Sequence, residues 1–272
     1  MKEINENMKK FILIMSIVIA SIGYTDTYNK NIESDVPHLD VNYEVIFDKV
    51  KNVKTSEGIA YNEYRIMLPV TKIKWMNDIL VKELSNAIFD GEKNVSNKEK
   101  LKEMISNEFN ELNNENYENE SADNYTFGAA IVYLGQKGNI VSFKGISRNA
   151  TLAARDYGNV NYINIDINKK KKLKLKDIII NYKENDSRIS RLLKENYDQG
   201  LEYEEKSRYT GNVPERFYFS DEGLTFEFAT LELTDTFSDA GSILTIPWKK
   251  INPLLYPEYR ENEVSIFDRW WD

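Results

Sequence analysis

The spacing of apolar residues changes twice along the chain, and this change restricts the fold more than any other feature. Apolar and polar residues alternate in YEVIFDKV (residues 43–50) and in AYNEYRIMLPV (residues 60–70), which is typical of strands with one buried face. In the second run, Arg65 is predicted to lie on the outer face. The residues predicted to share the opposite face are Ala60, Asn62, Tyr64, Ile66 and Leu68.

The middle of the chain has helical spacing. Two amphipathic helices are predicted, one carrying Met76, Ile79, Leu80, Leu84 and Ile88, the other Leu101, Ile105, Phe109 and Leu112. From Tyr125 the alternation returns in YTFGAAIVYLG, NIVSFKGIS and NYINIDI, which predict a meander of three strands. The run KKKKLKLKDI alternates Lys with Leu, so a solvated hairpin edge is favoured over a binding patch.

The last third is predicted to add a helix, a hairpin and a final strand. The helix is expected over Ser190 to Leu201, and the hairpin is FYFSDEGLTFEF, in which Gly223 is predicted to occupy a turn position with positive φ. The hairpin residues expected on the core are Phe217, Phe219, Phe226 and Phe228. SILTIPW is the predicted last strand, followed by a short helix. These elements predict an α+β fold of antiparallel sheets with amphipathic helices packed on one side.

The N-terminus has the pattern of an export signal. Lys9 and Lys10 precede the apolar run FILIMSIVIASIG, which is shorter than the roughly 20 residues that cross a bilayer. Residues 1–23 are therefore predicted to be a cleaved signal peptide, with Ser21 and Gly23 at the cleavage site; a short membrane anchor or a buried helix are the alternatives. The protein is expected outside the cytoplasm, secreted or tethered, with the membrane contacted only through this segment.

Composition bears on compartment and partners. The chain has no Cys and a net charge of −8, so it forms no disulfides, and its acidity argues against a nucleic-acid partner. The abundance of Asn, Lys and Ile favours a Gram-positive source with an AT-rich genome.

Few residues are available for catalysis. The single histidine, His38, is expected to be exposed in a polar linker (residues 24–42), and the chain has no Cys. The residues needed for a nucleophilic triad or a zinc site are therefore missing. No metal or cofactor is predicted. A pair of carboxylates could still hydrolyse glycans, and the candidates are Asp156, Asp235 and Asp239. We expect these residues to cap turns instead, and the protein not to be an enzyme.

Two other segments are candidates for binding. The loop after the hairpin presents Thr234, Asp235, Phe237 and Asp239 between two strands, where polar side chains on a rigid support can contact a partner. The end of the chain, residues 257–272, is an aromatic tail with Trp270 and Trp271. Docking of this tail on the domain is favoured over exposure.

The order of motifs in the last third resembles a known family. A D-I-N strand, L-K-L-K-D-I, a helix, FYFSDEGLTFEF, a loop ending in Asp239-Ala240-Gly241, and ILTIPWKKINPLL are similar to the RsiV/PdaC-type extracytoplasmic domain. The resemblance covers Asn42 to Tyr256 and is specific in pattern from Asn161 onward. Two departures are ATLAARDYGNV, where family members often have a Gly-Gly-Ala-His-like segment, and ATLELTDTF, where Pro and Tyr are usual.

The resemblance implies a non-catalytic α+β module outside the membrane, of the kind that binds lysozyme in the anti-sigma factor RsiV. Residues 43–160 would form its N-terminal part and residues 161–256 its RsiV-like C-terminal part. About ten residues precede Phe11, so a cytoplasmic signalling helix is not expected. The sequence therefore predicts a stand-alone envelope module that binds a protein or peptidoglycan ligand. A carboxylate-dependent enzyme acting on wall glycans and a structural interaction domain are the alternatives.

Overall fold

Six strands form the main sheet of the protein, in the order β1-β2-β3-β4-β5-β6. The computed structural model describes residues 38–55, 58–112, 125–151, 157–198, 209–229, 232–233 and 242–261. The strands are β1 (Val41–Thr55), β2 (Gly58–Thr71), β3 (Tyr125–Lys137), β4 (Ile140–Thr151), β5 (Tyr157–Asp166) and β6 (Lys171–Leu173). The described residues from Leu39 onward belong to one unit.

One pair of strands departs from the predicted antiparallel pattern. All neighbours in the main sheet are antiparallel except β2 and β3, which are parallel and pair from Asn62↔Tyr125 to Met67↔Ala130. The two helices between these strands are the reason, because a crossover connection returns the chain to the end of the sheet from which it left.

Those two helices cover one face of the main sheet. Helix α1 (Lys74–Ile88) packs on β2 to β5, and α2 (Lys98–Leu112) packs on β1 and α1. Their predicted apolar stripes face the sheet, and Leu80, Leu84, Leu101 and Ile105 are fully buried in a first core with Ile66. The α+β fold with helices on one side is confirmed. No helix in the described ranges has the length and apolar character needed to cross a membrane.

A second core lies around a three-stranded sheet. Its strands are β7 (Phe217–Phe219), β8 (Gly223–Glu227) and β9 (Ile243–Pro247), in antiparallel order. Helices α3 (Leu175–Ile178), α4 (Tyr182–Tyr197) and α5 (Trp248–Ile251) accompany it, with 3-10 helices at Asn252–Leu254 and Pro257–Tyr259. Tyr259, in the segment assigned to the aromatic tail, is buried in this core.

Helix α4 begins at Tyr182, earlier than the predicted Ser190. Asn181 adopts the left-handed conformation at φ 45°, and its carbonyl accepts hydrogen bonds from the amides of Glu184 and Asn185. The first turns are polar, so they show no apolar period from which a helix could be predicted. Leu201, the predicted end, lies outside the described residues.

Gly223 is required for a reason other than the predicted one. It is not among the described residues with positive φ. A β-carbon added there would lie 2.0 Å from the carbonyl oxygen of Ile246, so the close approach of β9 is what excludes a side chain. Strand β8 also buries both of its faces rather than one, because Thr225 and Glu227 are buried as well as Phe226. In β7, Phe217 is buried as predicted, whereas Phe219 is only partly buried against the second core.

Candidate functional site

The face of the main sheet opposite α1 and α2 carries a continuous apolar row. The strand registers place five residues side by side, one from each of β1 to β5: Val45↔Met67, Met67↔Ala130, Ala130↔Ile146 and Ile146↔Val160. Paired residues in neighbouring strands point to the same side of a sheet. We call this surface the open face.

None of the five residues in the row belongs to either apolar core. Val45 is 50% exposed and the other four are partly exposed. Tyr43, Val50 and Ile59 are also exposed, and by register and alternation they lie on the same side of the sheet. Four of the six exposed large hydrophobic residues in the described ranges therefore share the open face. Contiguous apolar surface of this kind typically marks an interaction site.

Two local features hold β1 in this arrangement. The register shifts between Val45 and Phe47, and this bulge buries both Ile46 and Phe47 while Val45 stays on the open face. The backbone N–H of Tyr133 in β3 donates a hydrogen bond of 3.0 Å to the hydroxyl of Tyr43. Tyr43 pairs with Pro69 of β2, which has no backbone N–H to donate to the edge strand. The Tyr43 hydroxyl instead connects β1 to β3, passing over β2.

A charged row runs beside the apolar row. Its register is Asp48↔Arg65, Arg65↔Gly128, Gly128↔Arg148 and Arg148↔Gly158. The Nε atom of Arg65 is buried and has no hydrogen-bond acceptor among the described residues, and the nearest Asp48 oxygen is 3.7 Å away.

Glu63 lies on the same face, two residues from Arg65 along β2. Burial raises the pKa of Glu63, and Asp48 adds to the shift while Arg65 opposes it. Glu63 is partly buried, so this part of the face is already partly removed from water.

A polar, buried contact closes one end of the open face. The rings of Tyr162 in β5 and Tyr218 in β7 stack at 4.8 Å between centroids. The carboxylate of Glu227 accepts a hydrogen bond from the Tyr162 hydroxyl and one of 2.9 Å from Lys144 Nζ. A buried carboxylate that loses its partners is costly, so this contact stabilises the packing of the hairpin on the main sheet. Burial raises the pKa of the Tyr162 hydroxyl, and the hydrogen bond to Glu227 adds to this shift. The hairpin is therefore scaffold.

The predicted binding loop can be placed only by its ends. Thr234, Asp235, Phe237 and Asp239 lie outside the described residues, as do Asp156, Trp270 and Trp271. The chain before the loop is anchored by Leu233, which is buried and accepts a hydrogen bond of 3.0 Å from the Thr210 amide. Beyond the loop, the carbonyl of Ser242 accepts a 2.9 Å hydrogen bond from Phe228.

Other parts of the described chain offer less for binding. A cleft of about 430 Å³ lies between β2, α1 and the start of α2, but Asn77 in its wall is already hydrogen-bonded to Thr71 through both its amide oxygen and nitrogen. His38 is exposed, as predicted. Within the described ranges, no three His, Asp or Glu residues are close enough together to hold a metal ion.

The open face was missed in the sequence because the outward positions of strands are usually solvated. A signal was present: Val45, Met67, Ile146 and Val160 are apolar in the phase opposite to the core residues of their strands. Alternation shows which residues share one face of one strand, but it does not show that four strands align these residues in one row.

No protein-family model matches the chain, and no curated protein matches its sequence. Solved structures are similar to the chain in fold. A member of the DUF3298 family from Bacteroides fragilis aligns with a TM-score of 0.61 at 17% identity, covering 80% of this chain and 94% of the other. A DUF3298 family protein from Pseudomonas aeruginosa aligns with a TM-score of 0.57 at 14% identity, covering 80% of this chain and 95% of the other. DUF3298 is the domain associated with RsiV and PdaC, and this chain shares its fold.

Proposed function

We propose that the protein is an exported, non-catalytic binding module of the bacterial envelope, and that it holds a protein or cell-wall ligand on the open face. The observation that carries the proposal is the apolar row from Val45 to Val160, which crosses five strands and belongs to neither core. At the usual strand spacing the row is about 19 Å wide.

The dimensions suit the centre of an interface. Specific protein interfaces bury about 800 Å² on each partner, with an apolar core inside a polar rim. On the open face, Arg65 and Arg148 border the apolar row on one side. On the other side the row ends at Lys144 and Tyr162, where the hairpin packs on the sheet. The rigid sheet behind it would bind with little loss of backbone entropy.

Export is proposed from the basic residues and short apolar run at the N-terminus. Cell fractionation with N-terminal sequencing tests it: the protein should be recovered from the envelope or the medium. Recovery of the intact chain from the cytosol would refute this part of the proposal.

Lysozyme and soluble wall fragments are the first ligands to test. Lysozyme is basic and the chain carries a net charge of −8, so association should weaken as salt rises. The purified protein is titrated with each ligand by calorimetry at low and moderate salt.

Matched variants assign the binding to the open face. Met67→Lys and Ile146→Lys place a charge in the apolar row and should reduce affinity at least tenfold. Asn110→Lys adds the same charge to an exposed position of α2 and should bind like wild type. All three should keep the wild-type circular dichroism. Binding that is unchanged in both open-face variants, or absent for every ligand in the wild type, refutes the proposal.

A further inference from the structure

The last of the described residues, Glu261, lies on the same side of the main sheet as the open face. It forms an ion pair with Lys137 at the end of β3, and its backbone N–H and C=O bond to the side chain of Asn252 at 3.0 and 2.9 Å. Lys137 pairs with Ile140 of β4, which is six residues, an even number, from Ile146 of the apolar row. All three side chains therefore point to the same side of the sheet.

The hairpin covers only part of this side. Tyr162 stacks on Tyr218 over β5. Tyr43 of β1 and Val132 of β3 lie two residues from the apolar row, on the way to Glu261, and neither belongs to a core formed by the described residues. Tyr43 is 49% exposed. An apolar strip on β1 to β3 therefore leads from the row toward the point that Glu261 occupies.

The eleven residues after Glu261 read NEVSIFDRWWD, and their apolar residues have helical spacing. With about 100° between successive residues of a helix, the apolar residues from Val264 onward fall within an arc of about 160°, and the polar residues fall opposite. The apolar residues are Val264, Ile266, Phe267, Trp270 and Trp271, and the polar residues are Ser265, Asp268, Arg269 and Asp272. We call residues 264–272 the tail helix. A helix this short is stabilised mainly by packing its apolar face on another apolar surface.

The length of this segment matches the distance to the row. Lys137 and the row are about 20 Å apart, because Ile140 and Ile146 are six residues apart along β4. Asn262 and Glu263 span about 7 Å when extended, and the tail helix spans about 14 Å. The segment therefore reaches the row. A helix is about 10 Å wide, which is the width of three strands at a spacing of about 4.8 Å.

We infer that the tail helix docks on the open face over β1 to β3 and covers the apolar row in the free protein. The short connection to Glu261 favours this occupant, because it holds the helix at a high effective concentration beside the strip. The consequence rests on the function proposed above: a ligand of the open face has to displace the tail helix, which lowers the affinity of the protein for that ligand. The main sheet then carries helices on both faces.

Crosslinking tests where the tail helix lies. The chain has no Cys, so two introduced cysteines report only on each other. Val45→Cys and Trp271→Cys join the row to the last turn of the tail helix, and a short bismaleimide should link them within one chain. Asn110→Cys with Trp271→Cys is the control, since Asn110 is exposed on α2, which covers the other face. The Val45 pair should give at least tenfold more product. Equal yields, or links between two chains, would overturn the inference.

Matched substitutions test whether the tail helix covers the row. Phe267→Glu places a charge on its apolar face, and Ser265→Glu places the same charge on its polar face. The neutral apolar dye Nile red should fluoresce about fivefold more with Phe267→Glu than with Ser265→Glu or wild type, because the row becomes exposed. Adding Met67→Lys to Phe267→Glu should remove this increase. Equal fluorescence of the two single variants would contradict docking on the open face.

Ligand titrations separate this inference from the proposed function. Lysozyme or wall fragments should bind Phe267→Glu about tenfold more tightly than Ser265→Glu, which has the same net charge. If a ligand binds wild type, is lost in Met67→Lys, and binds the two tail variants equally, the proposed function stands and the inference is wrong. If crosslinking and dye fluorescence give the expected results but no ligand binds Phe267→Glu, the tail helix covers the open face and the proposed function fails.

Discussion

Replacing Gly223 by Ala should destabilise the protein strongly, for a reason that lies outside its own turn. The new β-carbon would be 2.0 Å from the carbonyl oxygen of Ile246, 2.7 Å from its carbonyl carbon and 2.9 Å from the α-carbon of Pro247. All three contacts are with backbone, so no side-chain rotation relieves them. Strand β9 would have to move by more than about 1 Å to restore normal contact distances.

The size of the effect follows from what that movement disturbs. Overpacking in a well-packed region costs about 1–3 kcal/mol. The displaced end of β9 also continues into Trp248, whose backbone amide donates to the Glu222 carbonyl at 3.1 Å and whose indole N–H donates to the Asp221 carbonyl at 2.9 Å. Loss of one or two such hydrogen bonds adds about 1 kcal/mol each. We expect a total of about 2–5 kcal/mol.

Urea unfolding followed by tryptophan fluorescence and circular dichroism measures this difference. Gly223→Asn separates the steric explanation from a conformational one, since Asn tolerates positive φ but has the same β-carbon as Ala. Gly138 is the matched control, because its φ is 55° and nothing lies within 4 Å of an added β-carbon; Gly138→Asn should be nearly neutral. If Gly223→Asn is as stable as wild type, the steric argument is wrong.

Three further substitutions test other contacts by urea unfolding. Phe226→Ala should cost about 3–5 kcal/mol, because the ring is fully buried in the second core; a loss below 1 kcal/mol would contradict its place there. Tyr162→Phe removes a hydrogen-bond donor from the buried carboxylate of Glu227 and should cost about 1–3 kcal/mol, and wild-type stability would show that this contact does not hold the two sheets together. A hydrogen bond from Lys98 keeps the pKa of the Glu44 carboxyl below its usual 4.5. The ionised carboxylate therefore stabilises the folded protein above pH 4.5, and this stabilisation is lost as the pH falls through the folded-state pKa. Glu44→Gln should therefore cost less than about 1 kcal/mol near pH 7, with the difference from wild type vanishing at low pH; a difference that persists there would exclude an ionic origin.

Short-range periodicity was enough to predict most of the individual strands and helices. Alternation correctly predicted that Tyr64, Ile66 and Leu68 share a buried face, and helical spacing correctly predicted the cores of α1 and α2. These predictions succeed because the repeat lies within a single element. The polar start of α4 was missed for the same reason, since it has no apolar repeat.

The order of the strands in the sheet and their register could not be predicted from periodicity and are known from the three-dimensional structure. Arg65, Gly128 and Arg148 are far apart in sequence, and they form one row because a helical crossover makes β2 and β3 parallel and β4 then pairs antiparallel with β3. Gly223 likewise has its reason in Ile246, a residue of another strand. Contacts of this kind depend on the packing of the whole domain, whereas periodicity reports only which side of its own element a residue faces.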